Sequence, residues 1–157
     1  FKRFKQLGFG LISFIFLLSF ARYLHMYWVH MSKEYPFSSQ YGVKELVSYL
    51  NETVESRYKK AVVTDRYDQP YILFLFFSKY DPTRYQQQRK EMGEDKFGFS
   101  TISSFDKFHF RPIGREEIAK SKKTLFVGTE EEIDENQVPL KVINFPNGRI
   151  AFKIVGT

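Results

Sequence analysis

The sequence predicts an α/β protein in which an N-terminal transmembrane helix is followed by a small mixed-sheet α/β domain with a C-terminal β-hairpin. Three observations predict this fold class. An uncharged apolar run lies near the N-terminus, helix-like and strand-like segments alternate through the middle, and an Asn-Gly pair joins two strand-like runs near the end. We divide the chain into a transmembrane helix at residues 1–30, a connector at 31–40 and a domain at 41–157.

The apolar run extends from Leu7 to Ala21 and contains 15 residues without a charge. At about 1.5 Å per residue it measures about 22 Å, less than the ~30 Å hydrocarbon core of a bilayer. Its flanks lengthen it, because aromatic rings and an arginine with a long apolar stem suit the membrane interface. We therefore predict a spanning helix over residues 6–29. The predicted membrane-interface residues are Arg22, Tyr23, Tyr27 and Trp28.

Basic residues before the apolar run predict the orientation of this helix. Lys2, Arg3 and Lys5 precede it, which favours a cytoplasmic N-terminal end and an extracytoplasmic domain at the cell membrane. Because the chain begins with Phe1, we expect it to be part of a larger protein and the run to be its last span. A cleaved signal peptide fits less well, since Ser-Phe-Ala at residues 19–21 is a poor cleavage site. A lone anchor of a single-pass protein stays open.

Charge and cysteine content exclude several function classes. The net charge is +6, but residues 1–30 carry four basic residues and no acid, so residues 31–157 have only +2. The basic excess lies at the membrane end, and nucleic acid is therefore not an expected partner. A short cluster of three lysines near residue 120 is interpreted as solvated surface, with anionic lipid headgroups as the alternative contact. The chain has no cysteine, which excludes disulfides and thiolate catalysis. The cluster consists of Lys120, Lys122 and Lys123.

The first half of the domain predicts two helices around one strand. Apolar residues at helical spacing predict a helix over residues 41–58, and the β-branched run at 60–64 predicts a strand. Pro70 then opens a second helix at 71–80, although its aromatic residues also suit a strand. The spacing in the first helix is carried by Val43, Leu46, Val47, Leu50 and Val54.

Capping and turn residues mark the elements that follow. Asp81 and Pro82 are typical of a helix start, and residues 86–95 are predicted to form a polar surface turn or helix end. We further expect strand-like stretches over 97–110 and a short helix over 115–119.

The C-terminal third predicts a strand and then a hairpin. A buried strand is expected at 124–127, and Thr129 with Glu132 matches a capping box, which predicts a helix start. The hairpin joins 140–144 to 149–155 through the pair Asn147-Gly148, which is expected to supply positive φ.

The candidate site lies after the first predicted strand, because open α/β sheets bind ligands at the carboxyl ends of their strands. We single out Asp65, Tyr67 and Gln69 as ligand-binding residues. The structural alternative is that Asp65 merely ends the strand and Asp68 caps the next helix. No metal site is predicted, since the three histidines lack metal-ligand spacing. The histidines are His25, His30 and His109.

Four stretches in series, after the spanning helix, resemble the C-terminal extracytoplasmic domain of prokaryotic membrane glycosyltransferases that use polyprenyl-phosphate sugars. This GT-C group includes protein mannosyltransferases and lipid A aminoarabinose transferases. The likeness covers most of the chain, although each stretch alone also fits ordinary caps and turns. The stretches are residues 41–47, residues 62–65 with 69–72 and Phe76, residues 79–82, and residues 146–149 with 152–155.

The resemblance implies the C-terminal part of an enzyme that moves a sugar from a polyprenyl phosphate to an extracytoplasmic acceptor. The family's catalytic acid lies in an early loop with no counterpart here, so no catalytic residue and no cofactor are expected in this chain. A divalent cation for the parent enzyme stays open. The implied partners are membrane lipid, upstream transmembrane helices, the lipid-linked sugar and the acceptor. The alternative function is a single-pass anchored binding module without catalytic activity, and a free-standing soluble enzyme has least support.

Overall fold

One long helix forms the N-terminal part of the computed structural model, which describes residues 2–94, 98 and 100–157. It comprises α1 (Lys2–His25), a π-helical turn (Met26–His30) and α2 (Met31–Glu34). Its 33 residues correspond to a length of about 50 Å. Within the described ranges it is the one helix long and apolar enough to cross a membrane, and a membrane anchor and a signal sequence both fit it.

Large apolar side chains point outward along this helix. Phe4 is 81% exposed, Ile12 68% and Phe16 67%, and none of residues 2–34 is buried. The helix ends at Glu34 rather than at residue 30, so it takes in the first part of the predicted connector. In the structure the connector comprises residues 35–42, between this helix and the helix that begins at Val43. Met31–Glu34 contains no helix breaker, and Pro36 restricts the residue before it to non-helical backbone, which sets the end.

The domain is built on a mixed sheet with the strand order β2-β3-β4-β1-β5-β7-β6 among the described residues. β1 lies inside the sheet and is parallel to β4 and β5, while the other pairs are antiparallel. The predicted mixed sheet and C-terminal hairpin are confirmed. The strands are β1 (Lys60–Val63), β2 (Lys90–Glu94), β3 (Ser100–Phe105), β4 (Phe108–Phe110), β5 (Thr124–Gly128), β6 (Lys141–Asn144) and β7 (Ile150–Gly156).

Helices cover both faces of this sheet. The segment predicted as either a helix or a strand is a helix, which begins at Pro70 and buries Phe74 against the sheet, so the strand alternative is wrong. Asp81 caps the next helix by accepting a hydrogen bond from the Arg84 N–H at 2.8 Å, as predicted. The helices are α3 (Val43–Arg57), α4 (Pro70–Ser78), α5 (Pro82–Gln88) and α6 (Arg115–Lys120).

The alternation of β1 divides the core into two parts. Ala61 and Val63 pack with α3 and α4 on one face, while Val62 packs with Ile118 of α6 on the other. The chain therefore leaves β1 toward one face of the sheet and leaves β4 toward the opposite face. Loops that separate in this way open a crevice at the carboxyl ends of the strands.

The prediction of a surface turn or helix end over residues 86–95 is confirmed for the helix end and wrong for the residues that follow it. The helix ends at Gln88, and Lys90–Glu94 forms the edge strand β2, which is exposed along its whole length. A strand that buries neither face shows no alternation of apolar and polar residues, so pairing with β3 alone reveals it. Asp95 and the predicted strand start at Phe97 lie outside the described residues.

The capping-box pair forms a turn instead of starting a helix. Glu132 Oε2 accepts hydrogen bonds from the Thr129 N–H and the Thr129 hydroxyl, both at 3.0 Å. No helix follows over residues 129–140, which are all described. This segment lacks apolar residues at helical spacing, so tertiary packing does not extend the turn.

The hairpin forms with different turn chemistry from that predicted. Positive φ is confined to Gly148, at 85°, whereas Asn147 contributes its side chain, whose Oδ1 accepts a hydrogen bond from the Arg149 N–H at 3.1 Å. A loop longer than two residues needs only one left-handed position.

Candidate functional site

The loop between β1 and α4 is fixed by its own side chains. Thr64 is fully buried, and its hydroxyl oxygen accepts a hydrogen bond from the Arg66 N–H at 3.2 Å. Gln69 adopts left-handed backbone (φ 42°) directly before Pro70, the first residue of α4. The side-chain oxygen of Gln69 accepts a hydrogen bond from the Tyr71 hydroxyl at 3.2 Å. The loop therefore has a defined shape at the carboxyl end of β1.

This loop forms one wall of a cleft of about 490 Å³. The start of β3, the end of β4 and a residue of β2 form the rest. This volume lies in the range of small-molecule sites. The structure brings the three predicted residues together here, and their role in ligand binding stays a prediction. The lining residues are Asp65, Arg66, Tyr67, Asp68, Gln69, Pro70, Tyr71, Met92, Thr101, Ile102 and Phe110.

Tyr67 supports the cleft from beneath. It is 2% exposed, and its hydroxyl donates a hydrogen bond to the Ala151 carbonyl oxygen at 3.0 Å. Burial and, to a smaller extent, the Glu132 carboxylate raise the pKa of this hydroxyl. The hydroxyl therefore stays protonated and already has a partner, so Tyr67 presents only ring atoms to a ligand.

Asp65 lies between the cleft and a second depression of about 430 Å³. Partial desolvation of its carboxyl raises its pKa, and the nearby Glu132 adds to the effect. The cations beside the second depression have acidic partners: Arg66 pairs with Glu131, and Arg115 lies 3.2 Å from Asp134. The local charge is thus largely balanced by ion pairs of the chain itself.

The connector packs on the same end of the domain. The ring of Phe37 stacks on Tyr67 with centroids 4.4 Å apart, and Gln40 Nε2 donates a hydrogen bond to the Asp68 carbonyl oxygen at 2.7 Å. Asn147 Nδ2, in the hairpin turn, donates to the Lys33 carbonyl oxygen at 3.3 Å. The cleft therefore lies at the carboxyl ends of the parallel strands, which is also the end of the domain to which the N-terminal helix is joined. Sequence reasoning missed Phe37 and Gln40, because the connector has no periodicity that marks a packed residue.

The predicted membrane-interface residues all lie on exposed positions of the N-terminal helix. Tyr23 is 61% exposed, Tyr27 52% and Trp28 72%, and the rings of Tyr23 and Tyr27 stack at 6.3 Å between centroids. Arg22 lies one residue before them on α1. Their placement fits an aromatic belt.

Two of the histidines are neighbours despite their spacing. The rings of His25 and His30 lie 5.2 Å apart between centroids, because the π-helical turn Met26–His30 places residues five apart on one side of the helix. His30 Nδ1 also lies 2.5 Å from Glu34 Oε1. Over residues 2–94, 98 and 100–157, no three His, Asp or Glu side chains are grouped so that they could hold a metal ion.

Comparison with known proteins gives no match to a protein-family model, a curated protein or a solved structure.

Proposed function

We propose that the chain is the membrane-proximal outer domain of a membrane glycosyltransferase that uses polyprenyl-phosphate sugars, and that its cleft helps to select the acceptor. In this proposal the domain lies outside the cytoplasm and does not itself catalyse transfer. The observation that carries the proposal is the position of the cleft. It lies at the end of the domain to which the long apolar helix is joined.

The short path from the helix to the cleft supports this assignment. The predicted span ends near Val29, and the helix continues only to Glu34. Phe37 and Gln40 then contact the cleft loop directly. A ligand attached to a lipid headgroup, or a chain growing at the membrane surface, would thus lie within reach of Asp65 and Gln69.

The chemistry of the lining suits a carbohydrate better than a free phosphate. Asp65, Asp68 and Gln69 offer oxygen acceptors for hydroxyl groups, and the half-buried Tyr71 offers aromatic surface for the apolar face of a sugar ring. Among the described lining residues the one cation is Arg66, and it is paired with Glu131. An acceptor glycan fits this pattern, whereas the phosphate of the donor would find no free positive charge among these residues.

The same lining supports an accessory role. The hydroxyl of Tyr67 is committed to Ala151 and is therefore not free for proton transfer to a ligand. The resemblance places the catalytic acid in an upstream loop, which agrees with this reading.

Single cysteines test the orientation, because the chain has none of its own. Gln6→Cys and Ser39→Cys would be introduced separately and treated in intact cells with a membrane-impermeant maleimide. We expect labelling at residue 39 and protection at residue 6 until the cells are opened. Labelling at residue 6 alone would overturn the extracytoplasmic placement.

Sugar transfer tests the enzymatic part of the proposal. Membranes that contain the complete gene product would be given labelled polyprenyl-phosphate sugars and acceptors. For Asp65→Ala and Gln69→Ala we expect the KM for the acceptor to rise about tenfold at unchanged KM for the donor, since one lost hydrogen bond costs about 1.4 kcal/mol. Lys122→Ala, at the other end of the domain, is the control. Absence of transfer from every polyprenyl-phosphate donor would refute the transferase assignment.

A second candidate is an anchored binding module. It is favoured by the fact that residues of the domain by themselves form a cleft of about 490 Å³. In this case residues 1–157 in lipid nanodiscs would bind envelope glycans, Asp65→Ala would weaken the binding, and no sugar would be transferred.

A further inference from the structure

The connector and α4 share an exposed apolar surface that the cleft does not use. It consists of Phe37, Tyr41, Ile72 and Phe76, which we call the α4 patch, and these are 46%, 44%, 50% and 72% exposed. We propose that the α4 patch inserts into the headgroup layer of the bilayer that the N-terminal helix enters, so that the domain is held against the lipid with its cleft edge toward the membrane.

The patch is continuous across two elements. Tyr41 of the connector and Leu73 and Phe77 of α4 line one shallow depression of about 430 Å³. Ile72 and Phe76 extend the apolar surface along α4, whose nine residues include no charge. On α4 only Pro70 and Phe74 are buried. A helix surface that faces water normally carries polar residues. An uncharged apolar surface on α4 therefore indicates contact with another apolar phase or molecule.

Length along the chain places the connector residues of this patch, Phe37 and Tyr41, at the bilayer surface. From His30 to Glu34 the helix advances only about 6 Å. Each headgroup layer is about 5–8 Å thick, from the difference between a whole bilayer and its hydrocarbon core. The Asn147 side chain bonds to the Lys33 carbonyl at 3.3 Å, which holds the domain at the end of the helix. Phe37 and Tyr41 therefore lie at headgroup depth or just beyond it.

The composition of the surroundings selects lipid as the occupant. Phe and Tyr are side chains that proteins place at membrane interfaces. Lys44 lines the shared depression beside Glu45, which is paired with Lys141, and Lys79 follows the last residue of α4. Both Lys44 and Lys79 suit anionic headgroups. Phe37 also follows, three residues later, a helix whose own apolar side chains are exposed.

The end of the domain opposite the connector carries several lysines. Lys122 and Lys123 precede β5, and Lys60 begins β1, so these lysines lie at the amino ends of parallel strands, away from the connector. Val138, before β6, is 88% exposed at the same end. In the proposed orientation the lysine cluster faces water, and lipid contact is made by the α4 patch instead.

Spin labels on single cysteines test the proposal. Ile72→Cys and Phe76→Cys would be compared with Val138→Cys, a matched apolar and exposed control. Each labelled chain would be placed in nanodiscs that contain anionic lipid, and collision rates with oxygen and with a water-soluble nickel complex would be measured. We expect a several-fold lower nickel collision rate at residues 72 and 76 than at residue 138, with oxygen collisions retained or increased.

Two results would overturn the proposal. Nickel accessibility at residues 72 and 76 equal to that at residue 138 would mean that the patch faces water. Low accessibility to both reagents would mean that protein covers it, either a second copy or another helix. The labelled side chains are exposed, and circular dichroism of each variant would verify the fold. The proposal requires the membrane anchor but no sugar transfer, so it and the transferase assignment can fail separately.

Discussion

Tyr67 joins three parts of the molecule. Its ring stacks on Phe37 of the connector and packs at a tilt against Phe152 of β7, with centroids 4.4 and 4.8 Å apart. Its hydroxyl donates a hydrogen bond to the Ala151 carbonyl oxygen. We expect Tyr67→Phe to lower the free energy of unfolding by about 1 kcal/mol, because a buried carbonyl loses its donor while the ring contacts remain. Urea denaturation in detergent, followed by near-ultraviolet circular dichroism, measures this.

Tyr71→Phe is the control for that prediction. The Tyr71 hydroxyl bonds to the partly exposed side chain of Gln69, where water can replace it. We expect a change well below that of Tyr67→Phe. Equal changes in the two variants would show that the Ala151 hydrogen bond does not stabilise the fold.

The Arg111–Glu117 pair gives the domain a defined response to acid. Arg111 Nη1 donates a hydrogen bond to Glu117 Oε2 at 2.8 Å, which lowers the pKa of Glu117 from the ordinary value of 4.5. The unfolded chain then binds this proton more readily than the folded chain. The stabilisation is therefore complete above pH 4.5 and is lost as the pH falls through the lower pKa of the folded state.

Melting temperatures between about pH 3 and pH 6 test this expectation. Glu117→Gln should lower the melting temperature at the upper end of the range and flatten its decline toward acid. Glu116→Gln is a matched control in the same helix, since Glu116 forms only an exposed ion pair with Lys120. An unchanged acid decline in Glu117→Gln would contradict the assignment.

At the scale of elements, the connector depends on a glycine. Gly42 has φ 90°, and a Cβ added there would lie 2.9 Å from Ile143 Cγ2. Gly148 has a similar φ of 85° but no atom within 4 Å of the added Cβ. We expect Gly148→Ala to cost about 1–2 kcal/mol from backbone conformation, and Gly42→Ala to cost about 1–3 kcal/mol more from overpacking.

Equilibrium unfolding of the two variants separates the backbone contribution from the overpacking contribution. The difference between them reports the packing of the connector on β6, because the backbone conformation is common to both. If both substitutions lowered the free energy of unfolding equally, the connector would have room to move away from Ile143. That result would contradict a rigid link between the helix and the cleft.

The polar edge strand β2 illustrates a second element-scale property. All five of its residues are exposed, and its pairing with β3 is interrupted by register shifts. Charged side chains and bulges at a sheet edge discourage pairing with other chains. The same features remove the apolar alternation that predicts a strand, which is why a protected edge is hard to recognise from sequence.

At the scale of the whole molecule, the long exposed apolar helix determines how the protein partitions. We expect the chain to remain with the membrane after an alkaline wash and to need detergent for release. Leu11→Arg with Phe14→Arg should move a large fraction to the soluble phase, since each arginine at the centre of a span costs about 2.5–3.5 kcal/mol. Sedimentation followed by immunoblotting measures the distribution.

Val138→Arg is the control, because it makes the same kind of change at an 88% exposed position outside the helix. We expect it to leave the distribution unchanged. Release of the unmodified chain by the alkaline wash would contradict membrane insertion.

The sequence by itself determined most of the elements and the mixed α/β class. The helix cap at Asp81, the proline in the first turn of α4, the apolar period of α3 and the hairpin signal at Asn147-Gly148 are local. Each can therefore be recognised from a few neighbouring residues. The apolar N-terminal helix is equally local, because its length and composition are sufficient to recognise it.

Tertiary structure alone decided how these elements meet. Crossovers on opposite faces of the sheet bring Asp65 to a cleft with Thr101 and Phe110, residues far apart in sequence. They also turn that cleft toward the helix through contacts of Phe37, Gln40 and Asn147. Non-local contacts of this kind depend on chain topology and on side chains without periodicity. A local pattern therefore predicted the loop that carries Asp65. Only the fold determined that Thr101 and Phe110 line the same cleft.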